Sequence, residues 1–211
     1  MSALILVDLQ NDFMPGGALA VPDGDAVIPL ANRLAGSFDL VVATQDWHPP
    51  GHGSFASQHP GESPGDSVEL DGLRQELWPD HCVQGTSGAE LHVGLDARQI
   101  TKVFQKGTDP RIDSYSTFFD NAHRKSTGLA DYLKEKGVGE VYLMGLATDY
   151  CVKFSGLDAV KLGFKTSVIE DGCRGINLRA GDVSRAVNEM KSAGAAIVSS
   201  KALPWNNLPA R

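Results

Sequence analysis

Residues 141–151 read VYLMGLATDYC, and this stretch decides how the rest of the chain is organised. Val141–Leu146 is an apolar run without polar alternation, as a strand buried on both faces requires. It passes through Ala147–Thr148–Asp149 into Tyr150–Leu162, whose spacing predicts a helix closed by Gly163. Working outward, the same unit recurs. Strands are expected at Ala3–Val7, Leu40–Ala43, Thr101–Gln105, Lys165–Ile169 and Ala195–Ser199. Helices are expected after Asp25, as N-cap, with Val27, Ile28, Ala31 and Leu34 on the apolar face, at Thr127–Lys136 ended by Gly137, and at Gly181–Ala193. Pro29 is tolerable there only in the first turns. Strands alternating with helices predict an α/β class: a three-layer αβα sandwich on a six-stranded, mainly parallel sheet.

The chain has 211 residues, 42% of them hydrophobic, enough for one sizeable core. A single domain over 1–211 is therefore expected. Gln45–Gln99, rich in His, Pro, Gly and Ser, is taken as a functional excursion of that domain. The net charge of −7, without a basic cluster, argues against a nucleic-acid partner. No apolar run approaches the ~18 residues of a membrane span. MSALILVDLQND lacks a basic leader and reads as a first strand, not a signal peptide. Three widely spaced cysteines, Cys82, Cys151 and Cys173, argue against a disulfide framework and for a reducing, cytoplasmic setting. A monomer or a homodimer is expected.

Ligands of parallel sheets gather at the carboxyl ends of the strands. The residues following each apolar run are Asp8, then Asp46–Trp47–His48, then Lys106, then Ala147–Cys151. All would share one rim. Cys151 stands where a helix begins, so free N–H groups and the helix dipole would favour its thiolate. The alternative is a buried structural cysteine, the reading given to Cys82 and Cys173. Asp8 alone could open a loop, and Lys106 alone could be a solvated lysine. Asp46-x-His48 puts two ligand types on one side of an extended segment, and His81 is a candidate third. Solvated loop histidines are the competing reading, kept for His52, His59, His92 and His123.

Six segments together resemble the isochorismatase-like cysteine hydrolase superfamily, and within it the nicotinamidases. They are VDLQNDF (7–13), DWHPPGHGSFAS (46–57), WPDHCVQGT (78–86), FQKGTD (104–109), SYSTF (114–118) and GLATDYCV (145–152). The resemblance implies Cys151 as nucleophile, Asp8 as general base and Lys106 as third member of the triad. It implies Asp46, His48 and His81 as ligands of one divalent metal, zinc first, with Fe2+ or Mn2+ as alternatives. Some relatives carry a further histidine where this chain has Ser54, so a fourth contact would come through water. Phe13, Trp78, Tyr115 and Tyr150 match positions walling a ring pocket. Leu146–Ala147 matches a cis peptide that aims the Ala147 N–H, with that of Cys151, at an oxyanion. The implied reaction is nicotinamide to nicotinate and ammonia, through a Cys151 thioester, in NAD salvage, with pyrazinamide as a further substrate.

Rival readings are a related hydrolase of carbamoyl or ureido groups, an isochorismatase, a noncatalytic metal-binding domain and a cysteine redox sensor. The first is disfavoured by the Asp46/His48/His81 set and the second by the cysteine. The third is disfavoured by the Asp–Lys–Cys set, and the fourth lacks a resolving thiol near in sequence.

Overall fold

The structure is a computed structural model that describes residues 1–203. The expected domain runs to residue 211, and residues 204–211 lie outside the described residues. In chain order the elements are β1 (Ser2–Val7), α1 (Ile28–Ala35), β2 (Leu40–Asp46), β3 (Ser67–Leu70), β4 (Leu73–Glu76), β5 (Lys102–Lys106), α2 (Leu129–Glu135), β6 (Glu140–Leu146), α3 (Lys153–Lys161), β7 (Lys165–Arg174), α4 (Asp182–Ala193) and β8 (Ala196–Val198).

Six strands form one sheet in the order β5-β2-β1-β6-β7-β8, and every pairing is parallel. After the first residue, β1 and β6 are buried at every position. A strand buried on alternate residues in both directions must be covered on both faces, which makes the fold the expected αβα sandwich. α3 packs on β7 and α4, and α4 buries Ala186 and Met190. Gly194, in the left-handed region, closes α4 by donating to Lys191 O.

The chain winds outward from β1 in two directions, to β2 and β5 on one side and to β6, β7 and β8 on the other. The reversal lies between β1 and β6, where a parallel sheet opens a crevice at its carboxyl end. Gly145 makes the approach of these two strands close. A Cβ there would sit 2.1 Å from Val7 O, so no side chain fits.

Several expectations need correction. Asp25 does not cap α1. It lies in a 3-10 turn, Gly24–Val27, and α1 begins at Ile28 with Pro29 in its first turn. The third expected strand is shifted by one residue to end on Lys106, because pairing with β2 continues to Asp46. The helix after β6 is preceded by a π-type turn, Thr148–Val152, so the α-helix starts at Lys153. The excursion also contains an unexpected hairpin, β3–β4, antiparallel around Asp71–Gly72. Both turn residues have positive φ, 51° and 81°, the backbone that an Asp-Gly pair serves best. Among the described residues no helix is long and apolar enough to cross a membrane.

Leu143 is fully buried in β6. Leu143→Ala should lower unfolding free energy by about 2–5 kcal/mol in urea titration. Val93→Ala, at a 93% exposed position, should stay within about 0.5 kcal/mol.

Candidate active site

Four adjacent strands deliver the predicted residues to one rim, in the order Lys106 from β5, Asp46 from β2, Asp8 after β1 and the Ala147–Cys151 turn after β6. All four of the side chains Lys106, Asp46, Asp8 and Cys151 are buried. Lys106 is at their centre. Its ammonium lies 2.9 Å from Asp8 Oδ2 and donates to Asp46 Oδ1 at 2.5 Å, to Ser114 O at 2.9 Å and to Cys151 Sγ at 3.5 Å. The alternative of a solvated lysine is excluded.

Asp8 leaves β1 with φ 50°, and its Oδ1 accepts the Thr44 hydroxyl at 2.6 Å. Oδ2 makes an ion pair with Lys106 and is otherwise buried without a hydrogen-bond partner. One oxygen of Asp8, one of Asp46 and Cys151 Sγ lie within 4.8 Å of one another. Burial, reinforced by the charge of Asp46, raises the Asp8 carboxyl above its ordinary value against the pull of Lys106. In Asp46 burial also opposes ionisation, but Lys106, His48 and His81 together outweigh it and the carboxyl is held below its ordinary value.

The thiol departs from expectation. Burial pushes Cys151 well above an ordinary thiol; Lys106 pulls the other way, and Asp8 and Asp46 add to the rise. Cys151 lies inside the π-type turn that leads into α3, in the first turn of the helical run and not at the first residue of the α-helix. The upward shift favours the thiol as the resting form. Ser155 fixes this turn by donating its hydroxyl to Cys151 O at 2.5 Å and accepting Thr117 N–H at 2.9 Å. The Leu146–Ala147 peptide bond is cis.

Asp46, His48 and His81 each bring a ligand atom within 4.8 Å of the others, and all are buried. His48 Nδ1 faces Gly107 O at 2.9 Å, and His81 Nδ1 faces Pro79 O at 2.8 Å. A ring nitrogen facing a carbonyl must carry the proton, which leaves the Nε2 lone pairs free. Those Nε2 atoms lie 3.8 and 3.9 Å from Asp46 Oδ2, and His48 Nε2 is buried without a hydrogen-bond partner. Burial pushes both imidazoles toward the neutral form. Two neutral imidazoles and a carboxylate converging on one point fit a divalent cation. Gly107 permits this. A Cβ there would lie 2.5 Å from His48 Cε1.

Three of the predicted ring-wall residues form one cluster. Trp78 and Tyr150 meet edge to face at 4.8 Å, and Tyr115 and Tyr150 lie 5.4 Å apart. The Tyr115 hydroxyl accepts Trp78 Nε1–H at 3.1 Å and Gln75 Nε2–H at 2.9 Å. Burial holds it far above an ordinary phenol. Phe13 packs on His81 at 5.6 Å. Ser54 is fully buried, but its hydroxyl is bonded to His52 Nδ1 at 2.8 Å. His52 is not a solvated histidine. It is fully buried, with its ring 4.3 Å from that of His48. His59 bonds Gly53 O, and His123 pairs with Asp158. Reading the sequence missed Thr44, Gln10 and Asp113. Asp113 Oδ1 lies 3.9 Å from His48 Nε2. Gln10 and Thr44 lie within or beside segments that were singled out, and their roles depend on cross-strand neighbours that spacing does not give.

The profile of the isochorismatase domain matches residues 2–202. The chain belongs to the isochorismatase family. Within the family it is 55% identical over 199 residues to an Escherichia coli protein named nicotinamidase, covering 92% of this chain and 93% of that one. An Acinetobacter baumannii nicotinamidase/pyrazinamidase structure superposes with a TM-score of 0.92 at 50% identity, covering 95% and 96% of the two chains. A Pyrococcus horikoshii pyrazinamidase, solved in complex with zinc, superposes at 0.76 with 42% identity, covering 94% and 98%. The α/β fold read from the strand pattern, and the isochorismatase-like fold that the resemblance implied, are thereby established.

All three cysteines of this family member are buried, and burial raises every thiol, Cys173 to about 12. Absorbance at 240 nm should therefore show no thiolate step between about pH 5 and 8.5. A step below pH 7 that vanishes in Cys151→Ser would contradict the assignment of a resting thiol.

Proposed function

We propose that the protein hydrolyses nicotinamide to nicotinate and ammonia, and turns over pyrazinamide by the same route. The observation that carries this reading is the single buried lysine joining Asp8 and Cys151 to Asp46, beside two histidines that offer Nε2 lone pairs. The names of the E. coli and A. baumannii relatives support it. Residues 1–211 are taken to work as one domain, with 45–99 supplying the metal loops. Three unpaired thiols fit a reducing cytoplasm, where the protein would act as monomer or homodimer.

In this mechanism the amide carbon docks over Cys151, with the ring walled by Phe13, Trp78, Tyr115 and Tyr150. Asp8 Oδ2 takes the thiol proton as sulfur attacks. Lys106 stays an ammonium, since Asp46 and Asp8 more than offset its burial, and it stabilises the anions formed beside it. The N–H groups of Ala147 and Cys151 hold the oxyanion, each donor contributing ~10²–10³ in rate. Asp8 returns the proton to the departing amine, and ammonia leaves. Asp8 then deprotonates a water that attacks the thioester, and nicotinate and the Cys151 thiol are released. A divalent cation, zinc by this reading, would be held by Asp46, His48 and His81 and would give the pyridine nitrogen a Lewis-acid anchor.

Ammonia release from nicotinamide tests the reading. Cys151→Ala should be inactive, and Asp8→Asn should lose ~10²–10⁴ of kcat. Chelation should raise KM, and added Zn2+ should reverse it. Turnover that survives Cys151→Ala would sink the mechanism. Turnover of a ureido compound but not nicotinamide would move the substrate class.

A further inference from the structure

β1 and β2 stop pairing at Leu6–Ala43, three residues before β2 ends at Asp46. The edge of Asp46 that faces β1 therefore has no strand beside it. Gln10, fully buried, fills that place with its side chain. Its Oε1 accepts Asp46 N–H at 2.8 Å, and its Nε2 donates to Asp46 O at 2.8 Å and to Ala89 O at 2.9 Å. A primary amide has one acceptor oxygen and two N–H donors. Both donors and the oxygen are engaged here, so the amide has one orientation and reproduces the pairing of a strand residue. No other uncharged side chain of this length offers that set.

Two residues on, the same segment repeats the device. Asp12 Oδ2 accepts Cys82 N–H at 2.7 Å, directly after His81, and Cys82 is held at φ 47°. Positions 8, 10 and 12 of one segment thus reach the base site, the backbone of Asp46 and the backbone beside His81. A shift of Asp46 backbone would move Oδ1 from Lys106 and Oδ2 from the two imidazoles together.

We infer that Gln10 is a positioning residue for the metal site, acting through the Asp46 backbone. This rests on the proposed reading of Asp46, His48 and His81 as cation ligands. Outer partners of metal ligands typically change affinity by ~10–100-fold when removed.

The test is Zn2+ titration of chelator-stripped protein against a competing indicator, with melting of the metal-free forms as the check on folding. Gln10→Met keeps the volume and removes all three hydrogen bonds. It should raise the Zn2+ Kd by ~10–100-fold. Nicotinamide KM should rise at limiting Zn2+ and recover at saturating Zn2+, because Asp46 is still present. Gln10→Glu keeps only the acceptor and should move Kd in the same direction. Gln45→Ala removes another donor to Ala89 O without touching Asp46, and should leave Kd unchanged. Folded Gln10→Met or Gln10→Glu protein with wild-type Zn2+ affinity would overturn the inference. So would an equal loss in Gln45→Ala. If Asp46→Ala binds Zn2+ as wild type does, the ligand reading itself fails, which is a distinguishable result.

Discussion

The site depends on one ammonium, that of Lys106, shared between two buried carboxylates. Two such anions this close would repel each other out of water, and one would stay protonated. Lys106 lets both be buried, at 2.9 Å from Asp8 and 2.5 Å from Asp46. Removing one partner of a buried ion pair typically costs 3–5 kcal/mol, so the lysine holds the rim together as well as serving its chemistry.

The two carboxylates nevertheless divide the work. Asp8 is raised, because burial and Asp46 act on it together, and its Oδ2 is buried without a hydrogen-bond partner. Asp46 is lowered, because Lys106, His48 and His81 together outweigh its burial. A carboxyl moved toward neutrality can pass protons, whereas one held ionised can serve as a ligand. The same geometry explains the resting thiol. Lys106 favours a thiolate, but burial and two flanking anions favour the thiol more. The proposed mechanism therefore calls for a base within reach, and one oxygen of Asp8 lies within 4.8 Å of the sulfur.

Much of this was legible in the sequence because a parallel sheet converts strand ends into neighbours. Asp8, Asp46, Lys106 and Cys151 could be placed on one rim from apolar runs alone. What was not legible depends on orientation or on pairing across strands. The direction of the Cys151 shift was expected to be downward and is upward, because a sequence shows the charge nearby but not the depth of burial. Gln10 was not singled out, since its partner is the backbone of a strand 36 positions away. His52 passed for a solvated histidine, since the excursion gives no sign of how tightly it folds. The Asp71–Gly72 hairpin was the one omission with a local signal, a two-residue turn in which both residues adopt positive φ.

The central claim is that Cys151 sulfur bonds to the carbonyl carbon of the pyridine substrate. Pyridine-3-carbaldehyde labelled with ¹³C at the carbonyl has no amine to expel, so attack stops at the first adduct. NMR of the bound compound should show a tetrahedral thiohemiacetal carbon in the wild type and a trigonal aldehyde or its hydrate in Cys151→Ala. A trigonal carbon bound to active wild-type protein, or a sulfur adduct that persists in Cys151→Ala, would contradict the account.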